Sequence, residues 1–341
     1  MTLVWKPGLI LQSPTASKLI LVNDQRNPAG DAQITYGITS TGGVFNLRSL
    51  GTVDYEVEWG DGTVERSTSN ILAHTYAAGS YVLKIRTAQQ YRPYFNNSTD
   101  EDQLTSVALV SDLDVGTDLQ GAWYGANNIT SFDAAFGVTA GVTNFQESWR
   151  NFSSLTSFPL IDTSSGNNFS YAWQNCTGLT SFPLIDTSLG TSFIGSWYFC
   201  TGLTSFPLID TSLGTNFSLA WYNCSGLTSF PLIDTSIGNN FSNAWFNCSS
   251  LTNFPANFFD SWTGTPANSC FADTWNNCIS LTATSVENIL NSIDTSGQSA
   301  PASGVDITID YNAASGTPNI STAVSNLIDR GWTITLNGVL Q

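Results

Sequence analysis

Between residues 118 and 281 the apolar positions of this chain recur in two alternating rhythms. In the stretch Asn168-Phe169-Ser170-Tyr171-Ala172-Trp173-Gln174-Asn175-Cys176, the residues Phe169, Ala172, Trp173 and Cys176 fall at i, i+3, i+4 and i+7, the spacing of one helix face. Asn168 stands just before them, where a side-chain oxygen caps the first free amides, and Ser192, Asn216 and Asn240 repeat that placement. The rhythm then changes. Leu179, Phe182 and Leu184 follow an L-x-x-F-x-L pattern, which predicts a short strand with these side chains facing inward. Pro183 suits a strand whose amide joins no regular ladder. Each copy is thus expected to hold a short helix followed by a short strand.

The copies keep a fixed period. Trp149, Trp173, Trp197, Trp221 and Trp245 are each 24 residues apart, with Trp123 lying 26 before the first and Trp275 lying 30 after the last. The phrase SFPLIDTS recurs unchanged from Ser157, Ser181, Ser205 and Ser229. The last copy carries an insertion around Pro255 to Pro266. A period in the twenties marks a solenoid of about seven coils. The energetics require stacking: about six large side chains per coil contribute roughly 1.5–3 kcal/mol each. Ordering the backbone costs about 1–2 kcal/mol per residue, so one coil cannot fold alone.

The flanks read differently. Upstream, Val53, Tyr55, Val57 and Trp59 alternate as in a half-buried strand, and Asp61-Gly62 signals a tight turn. Leu19 to Val22 reads as an added strand or part of a docking arm. Downstream, Thr284-Ser285-Val286-Glu287 reads as a capping box opening a helix whose apolar face is Val286, Ile289, Leu290 and Ile293. A strand over Ile307–Tyr311, a helix over Asn319–Arg330 stopped by Gly331, and a last strand over Trp332–Leu336 complete an α/β tail. A solenoid needs its open end covered, and this tail is the expected cap.

Two resemblances follow from these residues. The pattern F-x-x-A-W-x-N-C-x-x-L-T-S-F-P running into I-D-T-S, over roughly Asp118 to Leu281, resembles the BspA-like leucine-rich repeat family of surface proteins. Trp stands where many relatives have another large apolar residue. The WGDGT turn (Trp59 to Thr63), followed by His74-Thr75-Tyr76 and Gly79-Ser80-Tyr81, resembles the PKD domain, an immunoglobulin-like β-sandwich. The fold class expected is therefore mainly β with short helices. An N-terminal arm (1–32) precedes a PKD/Ig-like sandwich (33–100), a BspA-like solenoid (101–281) and an α/β C-terminal cap (282–341). Membership of such families implies cell-surface interaction and adhesion without defining a ligand.

Charge narrows the partners. With 26 acidic against 10 basic residues and a formal net charge of -16, the chain is expected to bind neither nucleic acid nor anionic membrane. No stretch is long and apolar enough to insert into a bilayer. The start MTLVWKPGLILQSPTASK does not read as an export leader, because Lys6, Pro7 and Gly8 interrupt its apolar run.

Chemistry finds little to work with. Cys176, Cys200, Cys224, Cys248 and Cys278 keep one phase, filled by Ala126 and Phe152 in the first copies. With no C-x-x-C pair and a single histidine, this reads as buried free thiols and not as metal ligation. Cys270 lies outside the ladder beside the insertion, free to be exposed. The aspartate column Asp162, Asp186, Asp210 and Asp234 has two readings: local Asx turns, or a row bridged by calcium, which carboxylate oxygens suit. No other cofactor is implied. His74 belongs to the PKD-like signature, leaving a Ser-His-Asp triad without a base, and no phosphate loop is present. The chain is expected not to be an enzyme.

What remains is the surface. Directly after the repeat tryptophans stand Arg150, Gln174, Tyr198, Tyr222, Phe246 and Asn276. Tyr198, Tyr222 and Phe246, with Tyr171 nearby, form a candidate ligand-binding strip for stacking on sugar rings, against the alternative that the rings fill the seam between coils. Surface-type modules without leader or anchor are expected on a particle assembled in the cytoplasm. The expectation is a virion protein (tail fibre-associated, receptor-binding or head decoration) docked to other virion proteins through its N-terminal region and meeting a host glycan or protein. A bacterial cell-surface adhesin is the alternative.

Overall fold

The computed structural model describes residues 34–51, 53–95, 100–109 and 113–341, with the backbone of two short strands before them. Those strands, β1 (Leu9–Ile10) and β2 (Val22–Asn23), pair antiparallel. The remainder of the 1–32 arm, including Leu19 to Leu21 of the expected strand, lies outside the described residues. The described chain is mainly β with few, short helices.

Six strands form one sheet: β3 (Ile34–Arg48), β4 (Tyr55–Glu58), β5 (Val64–Ser67), β6 (Ile71–Thr87), β7 (Leu104–Leu109) and β8 (Ser131–Ala134). Their order is β5-β4-β6-β3-β7-β8, antiparallel except for the parallel β7–β8 pair. Val53, Tyr55, Val57 and Trp59 all face the core, as their alternation predicted. β3 and β6 hold one register from Ile34↔Ile85 to Arg48↔Ile71, yet the buried side of β3 changes along its length. Ile34, Tyr36 and Ile38 are buried in the first half, Phe45 and Leu47 in the second. The switch falls at Gly42 and Gly43, with φ of 98° and 141°, where a side chain would be strained. Both halves meet around Phe95, whose ring lies 5.8 Å from Tyr36 and 6.2 Å from Phe45. The two halves of β3 thus present opposite faces to one core.

The repeats stack as coils, and three aromatic columns run through them. Trp123, Trp149, Trp173, Trp197, Trp221, Trp245 and Trp275 lie face to face, with adjacent centroids 5.3–6.4 Å apart. A second column runs from Phe145 through Phe169, Phe193, Phe217 and Phe241 to Phe271. A third runs from Phe132 through Phe158, Phe182, Phe206 and Phe230 to Phe254. Two residues after each phrase a glycine admits the second-column ring: a Cβ on Gly190 would stand 2.6 Å from the Phe193 Cζ.

The expected helix in each copy is instead a run of turns. The N–H groups of Phe169, Tyr171, Trp173 and Asn175 donate to the carbonyls of Ser192, Ile194, Ser196 and Tyr198 on the next coil, while those of Ala172, Gln174 and Cys176 donate three residues back. A helix would direct all of them along its own axis and leave none to join the coils. Left-handed residues stop it from propagating: Tyr171 has φ 56° and Asn175 φ 60°, and the equivalent positions repeat this in every coil from Gly121 and Gly125 to Asp273 and Asn277. The expected strand is corrected too. Pro183 accepts a bond from the Ile185 N–H at 3.0 Å, a three-residue turn that puts Phe182 and Ile185 inside and leaves Leu184 exposed. Only isolated bridges, such as Ser157↔Ser181, join this side, together with a threonine ladder in which Thr180, Thr204 and Thr228 each donate to the preceding coil's threonine carbonyl.

Both ends of the stack are closed by backbone that imitates a further coil. At the first coil, Thr130 donates to Thr105 of β7, as Thr180 does to Thr156, and Phe95 donates to Ala122 as Trp149 does to Ala172. The boundary expected at 100/101 therefore falls before a strand shared by sheet and stack. At the far end stand α1 (Ala283–Ser296), β9 (Val305–Ile309), α2 (Ser321–Asp329), β10 (Trp332–Leu336) and β11 (Val339–Leu340), with sheet order β11-β10-β9. The N-cap of α1 is Thr282, whose hydroxyl accepts the Ser285 N–H, two residues before the expected box. Glu287 instead accepts the Asn319 N–H. Val286, Ile289, Leu290 and Ile293 are buried as predicted.

Candidate functional site

The aromatic strip exists, but its rings face one another. Tyr198 and Tyr222 stack with centroids 4.7 Å apart and planes at 15°, and Tyr222 and Phe246 at 4.8 Å and 10°. All three are half-buried. Both faces of Tyr222 are therefore covered by its neighbours, and the row presents ring edges to solvent. Tyr171 packs against the next coil: a Cβ on Gly195 would stand 2.4 Å from the Tyr171 Cε1, so glycine there makes room for the ring. Burial, with Tyr222 and Tyr171 alongside, raises the Tyr198 phenol above its ordinary pKa.

Sequence reasoning missed Phe199. Its ring lies 4.8 Å from Tyr198 and 5.7 Å from Tyr222, on a left-handed backbone at φ 61°. The signal was available, since Gly125, Asn151, Asn175, Asn223, Asn247 and Asn277 fill the equivalent position and Gly and Asn are the residues that tolerate it. Asparagines in neighbouring coils bond through it, Asn175 to Asn151 at 2.9 Å and Asn247 to Asn223. Phe199 interrupts that ladder.

The aspartate column makes local turns. Oδ1 of Asp162, Asp186 and Asp210 accepts both the N–H and the hydroxyl of the serine two residues on, at 2.7–3.1 Å, and Asp234 accepts the Ser236 N–H at 2.8 Å. The Ser212 bonds hold the Asp210 carboxyl below its ordinary pKa. The intervening threonines tie the coils together, as when Thr211 donates to the Asp234 carbonyl at 2.6 Å. Among the described residues no three acidic, His or Cys groups gather as a metal site would require.

The thiols are buried and free. Each Cys of the column donates from Sγ to the Trp carbonyl of the preceding coil, at 3.0–3.2 Å from Cys176 to Cys278. Cys270 is buried, contrary to the exposure left open for it. Its carbonyl accepts the Phe241 N–H as that of Asn240 accepts Phe217, so it sits in the ladder at the position of the capping asparagines. Asn168, Asn216 and Asn240 each accept the N–H two residues on at 3.0 Å, opening turns and not the expected helix, while Ser192 Oγ instead meets Ser170 Oγ at 2.8 Å.

His74 is absorbed by the sheet. Its ring stacks on Trp59 at 4.4 Å, and Nε2 meets Asp61 Oδ2 at 2.8 Å. The Thr63 hydroxyl and N–H, with His74, hold the Asp61 carboxyl down at about 2. Where sheet and stack meet, Arg92 pairs with Asp118 at 3.0 Å beside a concavity of about 430 Å³ that Tyr94 and Glu147 also line. No helix among the described residues is long and apolar enough to cross a membrane. Set against known protein families, curated proteins and solved structures, the chain matches none.

Proposed function

We propose that this chain is a non-enzymatic adhesion protein: a leucine-rich-repeat solenoid of the BspA-like kind, introduced by a PKD/Ig-like β domain, closed by an α/β cap and displayed on a virion surface. The observation that supports this reading is the repetition of the same outward side chains on successive coils, which gives a partner one extended, rigid surface. The Tyr198, Tyr222 and Phe246 edges, flanked by Tyr171 and Phe199, are the part of that surface proposed to meet a host glycan or protein. Docking to other virion proteins is assigned to the N-terminal region, and the part played is receptor binding or capsid decoration. A bacterial cell-surface adhesin would use the same column.

Binding of the fluorescently labelled chain to host cells, before and after enzymatic stripping of surface glycan and protein, tests the reading. The expected result is saturable binding that falls in Tyr222→Ala. Release of reducing sugar from those glycans would instead make the chain an enzyme.

A further inference from the structure

The leucine of the SFPLIDTS phrase points away from the core on four successive coils: Leu160, Leu184, Leu208 and Leu232 are 56%, 63%, 61% and 49% exposed. Five residues along, Leu189, Leu213 and Ile237 form a second exposed row. Between them in each phrase stands the aspartate. Its Oδ1 is held by the local serine, while Oδ2 has no partner among the described residues. Two apolar rows thus flank one anionic row, the kind of contiguous patch that marks an interaction surface.

Charge and pitch decide the occupant. A second copy laid face to face would set aspartate row against aspartate row, in a chain with 26 acidic and 10 basic residues. The complement is a row of cations between apolar groups. Equivalent rings on adjacent coils lie 4.7–6.1 Å apart between residues 149 and 246. An α-helix lying along the column advances about 5.4 Å per turn, and so places one side chain of each stripe over each coil. A strand repeats its face every ~6.6–6.8 Å and drifts out of phase. The row also has an end: Phe258 takes the aspartate phase in the next coil, its carbonyl accepting from Thr235. There a concavity of about 270 Å³ opens among Leu232, Asp234, Asn257 and Phe258.

We propose that this face docks a basic amphipathic helix of a partner protein, its apolar stripes on the two leucine rows and its Lys or Arg stripe on Asp162, Asp186, Asp210 and Asp234. The surface uses different rows from the aromatic strip, so it goes beyond the adhesion reading and stands or falls separately.

Calorimetric titration of the full chain with a helical peptide of about 14 residues, four turns long, tests it. One peptide carries Leu stripes beside a Lys stripe, and a second has Glu in place of Lys. The expected result is binding of the Lys peptide alone, weakened by salt. The double variants Leu184→Ser/Leu208→Ser and Asp186→Asn/Asp210→Asn should each weaken it by about tenfold or more. Tyr222→Ala should leave it unchanged. All four positions in the double variants are exposed, and near-ultraviolet circular dichroism of the Trp column verifies that the fold is kept. Failure of the Lys peptide to bind, equal binding of both peptides, or indifference to the leucine variant would overturn the proposal. A dimer of the chain dissolved by Leu184→Ser/Leu208→Ser in sedimentation would overturn it in favour of a second copy.

Discussion

The carboxylate of Asp310 accepts the backbone N–H of Asn277 at 2.8 Å, taking the place of a coil that is not there. Inside the stack the equivalent N–H, that of Asn175, donates to the Tyr198 carbonyl of the following coil. The Asp310 N–H reaches the Trp275 carbonyl at 3.2 Å, where inner coils supply a cysteine thiol. A turn-built stack leaves unpaired backbone groups at its last coil, and this one residue answers two of them. Asp310→Ala is expected to destabilise the protein by about 1–2 kcal/mol, and Asp310→Asn by less, because the amide oxygen still accepts. Urea midpoints of the two variants check this.

Register on the leucine side is testable by neighbouring substitutions. Ile185 is buried and Leu184 is exposed, so Ile185→Ala is expected to cost about 2–4 kcal/mol. Leu184→Ser should stay within about 0.5 kcal/mol of the parent. The reverse order in thermal melts would restore the L-x-x-F-x-L strand.

Phe199 occupies a left-handed position at φ 61° between Asn175 and Asn223. Phe199→Asn relieves a conformational cost of about 1–2 kcal/mol and reconnects the asparagine ladder, at the loss of contacts with Tyr198 and Tyr222. The expected net effect is a stabilisation of roughly 0.5–1 kcal/mol, read as a higher melting temperature. A lower one would mean that the aromatic cluster outweighs backbone strain.

The thiols make stability depend on alkaline pH. Burial raises Cys200, Cys224, Cys248 and Cys278 well above the ordinary thiol range and Cys270 up to about 12. Groups whose folded pKa exceeds the unfolded one hold their full contribution below the unfolded value, near ~8.5, and lose it as pH rises towards the folded values. Stability should therefore fall steeply above about pH 9, with thiol reagents inert towards the native chain and reactive after unfolding. Asp61 has the opposite sign: depressed to about 2 from 3.8, it supports the sheet above the ordinary value and ceases to as pH falls through about 2. Urea titrations across pH separate the two limbs.

The period, the buried tryptophans, the thiol column and the capping asparagines were all legible in the chain, because each repeats in phase and chance does not repeat. The local conformation was not. Phe169, Ala172, Trp173 and Cys176 have helical spacing, and nothing in that spacing separates a helix from turns whose alternate N–H groups leave for the next coil. The separating signal was the Gly and Asn column two residues after every repeat tryptophan but Trp197. Leu184 was misplaced because Pro-Leu-Ile offers two adjacent apolar residues and only the turn at Pro183 decides which faces inward. Phe199 hid because an aromatic residue is a poor candidate for left-handed backbone.

The central claim is that this column is displayed on a particle to meet other surfaces. Immunogold electron microscopy of particles from the source culture, with antibodies raised against the whole chain, tests it most directly. The account predicts label on virions, at tail or fibre tips for a receptor-binding role and over the head for decoration. Label confined to cell envelopes or soluble lysate, with every particle bare, would contradict it.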